Sequence, residues 1–137
     1  MHVQPYLFFE GRCEEALDFY QSALGAKVEM MMRYADAPPD SDAPSAPKDK
    51  IMHAAFSVGD TSIMCSDGMC SGTPNFGGIS LSIAAKDKAE AEKLFGGLGA
   101  GGQVQMPLAE TFFSPAFGMV ADKFGVSWMI MVYPTEG

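Results

Sequence analysis

Basic residues are scarce in this sequence. Lysine and arginine together number 9 in 137 residues, against 17 aspartates and glutamates, and the formal net charge is −8. Nucleic-acid binding needs a basic face that displaces counterions from phosphates. No such cluster is present, so DNA and RNA are not expected partners. Long apolar runs are missing too: none reaches the ~20 residues of a membrane span, and no membrane partner is expected. The opening Met1-His2-Val3-Gln4-Pro5 has neither a basic n-region nor a long apolar stretch, which argues against a secretory signal. Cysteine is limited to Cys13, Cys65 and Cys70, an odd number without CxxC spacing. These thiols suit buried positions in a reducing cytoplasm better than a disulfide framework. The 47% hydrophobic content is enough to close one core without crosslinks.

Local patterns then give an order of elements. Tyr6-Leu7-Phe8-Phe9, between Pro5 and Glu10-Gly11, reads as a strand. Cys13, Ala16, Leu17, Tyr20 and Leu24 fall on one face of a helix, and Gly25 stands where its C-cap belongs. Val28 to Tyr34 is a second strand, and the proline-rich stretch 37–47 is a loop. Ile51 to Val58 and Thr61 to Ser66 flank the hairpin signal Gly59-Asp60. After the glycine-rich break 72–78 the order returns. Ile79 to Ile83 alternates as a strand, and Asp87 caps a helix carrying Ala91, Leu94, Phe95 and Leu98. Gln103 to Leu108 is the next strand, and Ala116 to Ala121 and Val126 to Tyr133 flank a turn at Asp122-Lys123-Phe124-Gly125. Ser62-Ile63-Met64 is echoed by Ser127-Trp128-Met129. A repeated βαβββ unit, hence an α+β fold, is the simplest reading.

Several segments carry a family resemblance: Pro5 to Phe9, Cys13-Glu14-Glu15-Ala16 through Phe19-Tyr20, Ile51-Met52-His53-Ala54, and Ser66-Asp67. They continue with Met106-Pro107-Leu108-Ala109-Glu110-Thr111-Phe112 and Phe117-Gly118-Met119 through Trp128-Met129-Ile130. Together they cover nearly the whole chain in order. The chain resembles the vicinal-oxygen-chelate superfamily of glyoxalases, bleomycin-resistance proteins and extradiol dioxygenases, and within it the PhnB-like (YjdN-like) branch. The resemblance implies a single domain, residues 1–137, with module one at about 1–70 and module two at about 76–134. The modules are expected to form a cup-shaped mixed sheet with helices on its outer face. It also implies a divalent metal held by His or Glu from four strands. The matching positions here are Pro5, Met64, Gly78 and Met129. Proline and glycine have no side-chain donor, and thioethers bind nickel or zinc poorly. No metal or cofactor is therefore expected, and a divalent metal only with non-standard ligands. The branch is also labelled a demethylubiquinone methyltransferase. A nucleotide-type glycine loop opens a helix after a strand, whereas the run from Gly97 to Gly102 closes one.

If those four positions point into the cup, strand alternation assigns the rest. The helix-facing set becomes Tyr6, Phe8, Ile63, Cys65, Ile79, Leu81, Ile83, Trp128, Ile130 and Val132, nearly all apolar. Pairing across Gly59-Asp60 sets His53 opposite Ser66. The cup is then lined by Leu7, Phe9, His53, Met64, Ser66, Ser80, Ser82, Met129 and Met131, with Glu110 and Phe112 at the rim. His53 and Glu110 are the candidate catalytic residues. His53 is either a general base or a histidine satisfied by Ser66 and water; Glu110 is either a catalytic carboxylate or a surface turn acid. The methionines are pocket filler or, less conventionally, soft-metal ligands.

Three functions follow as expectations. The first is a cytoplasmic small-molecule-binding protein, or an enzyme without the usual metal. The second is a metal-dependent lyase, isomerase or dioxygenase with relocated ligands such as His53 and Glu110. The third is a drug-sequestering protein. The expected partners are a small organic ligand and a second copy of the chain, as a homodimer.

Overall fold

In a computed structural model describing residues 1–38 and 47–134, the apolar spacing near the start closes into helix α1, Cys13–Leu24. Its Cys13, Ala16, Leu17 and Tyr20 are buried. Gly25 ends it with φ 65°, and its N–H bonds Gln21 O at 3.1 Å. A residue with a Cβ resists that left-handed conformation. The second helix, α2, Lys88–Gly99, starts at Asp87, whose Oδ1 accepts the N–H of Glu90 at 2.8 Å. Most of the proline-rich stretch expected at 37–47 lies outside the described residues.

Two units emerge, Met1–Asn75 and Phe76–Gly137. In the first, strands β1 (Tyr6–Phe8), β2 (Lys27–Arg33), β3 (Ile51–Val58) and β4 (Thr61–Ser66) form a sheet in the order β1-β4-β3-β2. β1 runs parallel to β4 and the other pairs are antiparallel. The second unit repeats this with β5 (Ser80–Ala85), β6 (Gln103–Ala109), β7 (Phe117–Ala121) and β8 (Ser127–Val132), in the order β5-β8-β7-β6 with β5 parallel to β8. Each unit is a βαβββ module, and the fold is α+β. Among the described residues no helix is long and apolar enough to cross a membrane.

Each helix covers one face of its own sheet. In unit one Tyr20 stacks on Phe56 with centroids 5.4 Å apart, beside the equally buried Phe9 and Ala54. In unit two Trp128, Ile130 and Val120 are buried with Ala91 and Leu98 of α2. Their alternation along β8 agrees with the sequence assignment of faces.

The assignment in β1 is corrected. Tyr6 pairs with Met64, Leu7 with Cys65 and Phe8 with Ser66. Leu7 and Phe9, expected in the cup, are instead 6% and 0% exposed and belong to the core. Phe8, expected to face the helix, is 53% exposed. The three residues of β1 are all hydrophobic apart from the Tyr6 hydroxyl, too little contrast to mark a phase. Pairing with β4 decides it, and a one-residue slip turns every side chain over.

Candidate functional site

The helix-free face of unit one carries Tyr6, His53, Met64 and Ser66. Tyr6 Oη and His53 Nδ1 are 2.9 Å apart, and their rings stack at 5.6 Å with a 28° tilt. Burial pushes the Tyr6 phenol above its ordinary pKa, so the hydroxyl keeps its proton at neutral pH. The tautomer of the His53 ring sets which of the two groups donates. His53 thus has a partner, but it is Tyr6 rather than the expected Ser66. The Ser66 hydroxyl accepts the N–H of Gly68 at 3.1 Å instead.

Beyond Ser66 the chain is held by two carboxylates. Asp67, 1% exposed, accepts the backbone N–H groups of Gly11 at 3.1 Å, Cys13 at 2.8 Å and Ile51 at 2.6 Å. It ties the loop after β1, the start of α1 and the start of β3 to one point. Glu10 accepts from Met69 N at 2.9 Å and Ser71 Oγ at 3.0 Å, which fixes the loop 68–71 over the end of β1. Gly68 has φ 55°, and a Cβ there would lie 2.0 Å from Glu10 Oε2, so a side chain at this position would push the carboxylate aside.

These constraints leave a recess of about 590 Å³, walled chiefly by Tyr6, Phe8, Glu10, Tyr34, Met52 and Met69. Met52 reaches it through a bulge: Met32 pairs with His53 but Arg33 with Ile51, so Met52 is the extra residue of β3 and alternation reverses there. Tyr34 belongs to a 3₁₀ turn, Tyr34–Asp36, rather than to the strand expected through it. Sequence reasoning missed most of this wall. Its available signal was the β1 aromatic pair, obscured by the wrong phase.

In unit two, Ser82 pairs with Met129 and Ala84 with Met131, so Ser80, Ser82, Met129 and Met131 share the helix-free face. Phe112 is fully exposed, its ring edge-on to Phe113 at 5.2 Å. Glu110 is corrected. It lies with Lys88, Glu92, Phe95 and Leu108 around a recess of about 420 Å³ against α2, away from the face of Met129. Glu110 follows β6, Gln103–Ala109, so no strand alternation fixes its side, and the packing of this segment against α2 decides it.

The superfamily metal is judged by its donors. Tyr6, not Pro5, shares a face with Met64, so the β1 position offers a protonated phenol beside a thioether. In unit two the positions hold Gly78 and Met129. These groups do not fit a hard divalent cation. Among the described residues no group of three or more His, Cys, Asp or Glu is placed to hold a metal. The glycine run from Gly97 to Gly102 closes α2, with Ala100 as its C-cap, and does not form a helix-opening nucleotide loop.

Two βαβββ modules of this topology, one following the other, are the architecture that the resemblance to the vicinal-oxygen-chelate superfamily implies. Solved glyoxalase-related and bleomycin-resistance/dioxygenase domains below 25% identity share this fold alone. A family model described as 3-demethylubiquinone-9 3-methyltransferase matches residues 1–131. Protein YjdN of Escherichia coli K12 is 36% identical over 140 residues, covering 96% of this chain and 95% of YjdN. Protein PA1353 of Pseudomonas aeruginosa is 42% identical, with a TM-score of 0.82 over 97% of this chain and 98% of its own. A PhnB protein of Bacillus cereus is 30% identical, with a TM-score of 0.80 over 96% and 99%. The chain belongs to this PhnB-like family, the one that the matching model describes as 3-demethylubiquinone-9 3-methyltransferase.

Proposed function

We propose that this protein binds a small organic molecule in the recess of its first module and does so without a divalent metal. The observation that carries the reading is the recess itself. Its volume suits a drug-sized ligand, and its walls are aromatic and thioether with a few fixed polar groups. Met52 and Met69 adapt to an irregular ligand, while Tyr6 is oriented by His53. The hydrogen bond between Tyr6 and His53 favours a second reading, in which the pair passes a proton to or from the bound molecule. Methyl transfer, the activity in the family description, finds no cofactor loop in the run Gly97 to Gly102.

An amide NMR titration of metal-free protein with a set of neutral, anionic and cationic aromatic compounds tests the reading. Shifts clustered at Phe8, Gly68 and Met69 are expected for at least one compound. Shifts confined to other regions, or none across the set, overturn it.

A further inference from the structure

We infer that the molecule held in this recess is an organic cation, recognised by the ring faces of Tyr6, Phe8 and Tyr34 together with the carboxylate of Glu10. The inference rests on the recess being the binding site. Three of its walls are aromatic, with the Tyr6 and Phe8 centroids 4.9 Å apart. Ring faces carry negative electrostatic potential and attract ammonium and guanidinium groups. Glu10 contributes a full negative charge to the same space, and no lysine, arginine or histidine lines it among the described residues.

The carboxylate is fixed before any ligand arrives. Its bonds to Met69 N and Ser71 Oγ occupy only part of its acceptor capacity, because a carboxylate has about four lone-pair positions. An entering cation therefore meets an oriented charge without displacing the loop. An anion would meet Glu10 and three aromatic side chains, with no cationic side chain among the described lining residues. A neutral molecule would desolvate Glu10 and return at most a hydrogen bond without the charge attraction. Burial keeps the Tyr6 and Tyr34 phenols protonated, so neither ring becomes an anion that binds by charge alone. The chain's net charge of −8 draws cations toward it at low salt.

The test compares choline with its uncharged carbon isostere, 3,3-dimethylbutan-1-ol, by amide NMR titration of the full chain. Choline is expected to shift Phe8, Gly68 and Met69 and to bind about 10-fold more tightly than the isostere, the range of a partly desolvated cation–π contact. Phe8→Leu and Tyr34→Leu are each expected to weaken choline several-fold and to leave the isostere nearly unchanged. Glu10→Gln is expected to weaken choline, whereas Ser71→Ala, which removes a loop bond but no charge, is not. Equal or tighter binding of the isostere in the recess overturns the inference and leaves the recess reading standing. Absence of choline binding with the isostere bound has the same meaning. If neither compound shifts the recess, the inference falls, and the wider aromatic set decides the fate of the recess reading separately.

Discussion

Tyr6, Leu7 and Phe8 are consecutive in β1, yet their side chains leave the strand on alternate faces. Leu7→Ala empties space between the sheet and α1 and is expected to cost roughly 2–5 kcal/mol in a denaturant melt. Phe8→Ala removes an exposed ring and is expected to cost less than about 1 kcal/mol. Equal costs would restore the alternation first read from the sequence. Ile63→Ala should behave like Leu7→Ala, since Ile63 is buried in the same core, while His53→Ala should stay near about 1 kcal/mol. The thiols separate in the same way. Cys13 and Cys65 are buried with their sulfurs 3.5 Å apart. The hydrogen bond to Cys65, followed by burial, pushes the Cys13 thiol far above its ordinary 9.0. Native protein at pH 8 should therefore react with a thiol reagent chiefly at Cys70, and at all three cysteines only when unfolded. Above pH 9 the unfolded thiol loses a proton that the folded one keeps. The stability contributed by Cys13 is complete below that pH and falls as pH rises beyond it. Melts between pH 8 and about 10 should show the loss, and Cys13→Ala should lessen it.

At the scale of elements, single carboxylates decide how segments meet. Asp67 serves β3, α1 and the loop between β1 and α1 through three backbone donors. Asp67→Ala leaves those donors buried and unpaired, and an expected loss of about 3–5 kcal/mol follows. Asp67→Asn should lose less, because an amide oxygen still accepts. Asp122 plays the matching part in unit two, where it accepts from Phe124 N, Val126 N and Trp128 Nε1 and shapes the β7–β8 turn. By contrast, Asp87→Ala removes one exposed cap bond of α2 and should cost about 1 kcal/mol. Urea denaturation of the two alanine variants checks the order, with Asp87→Ala the milder.

For the whole molecule, two prior expectations become predictions. Edge strand β2 exposes Met30 and Met31, and edge strand β6 exposes Val104 and Met106. Unpaired edges with apolar side chains call for a covering partner, and a second copy is the one we propose. Sedimentation at micromolar concentration should give a species of about twice the 14.6 kDa chain; a monomer alone would refute this. Protein purified without a metal-binding tag should contain far less than one nickel, zinc or iron per chain. A stoichiometric metal lost on His53→Ala would instead support relocated ligands.

What the sequence determined by itself was the repeated element order, the two helices with their Asp87 and Gly25 boundaries, and the Gly59-Asp60 hairpin. Each depends on local spacing, a capping group or a turn residue, and such signals act over a few positions. The faces of β5 were legible in its alternating serines, and those of β4 and β8 followed from the matched family positions Met64 and Met129. The tertiary structure alone decided the phase of β1, where the Tyr6 hydroxyl is the one polar group, the position of Met52, where a bulge resets the alternation, and that of Glu110, which lies beyond the end of β6. It alone joined Tyr6 to His53 across 47 positions and folded Glu10 against the loop 68–71. Those contacts arise from strand pairing and chain reversal, which no local window of residues encodes.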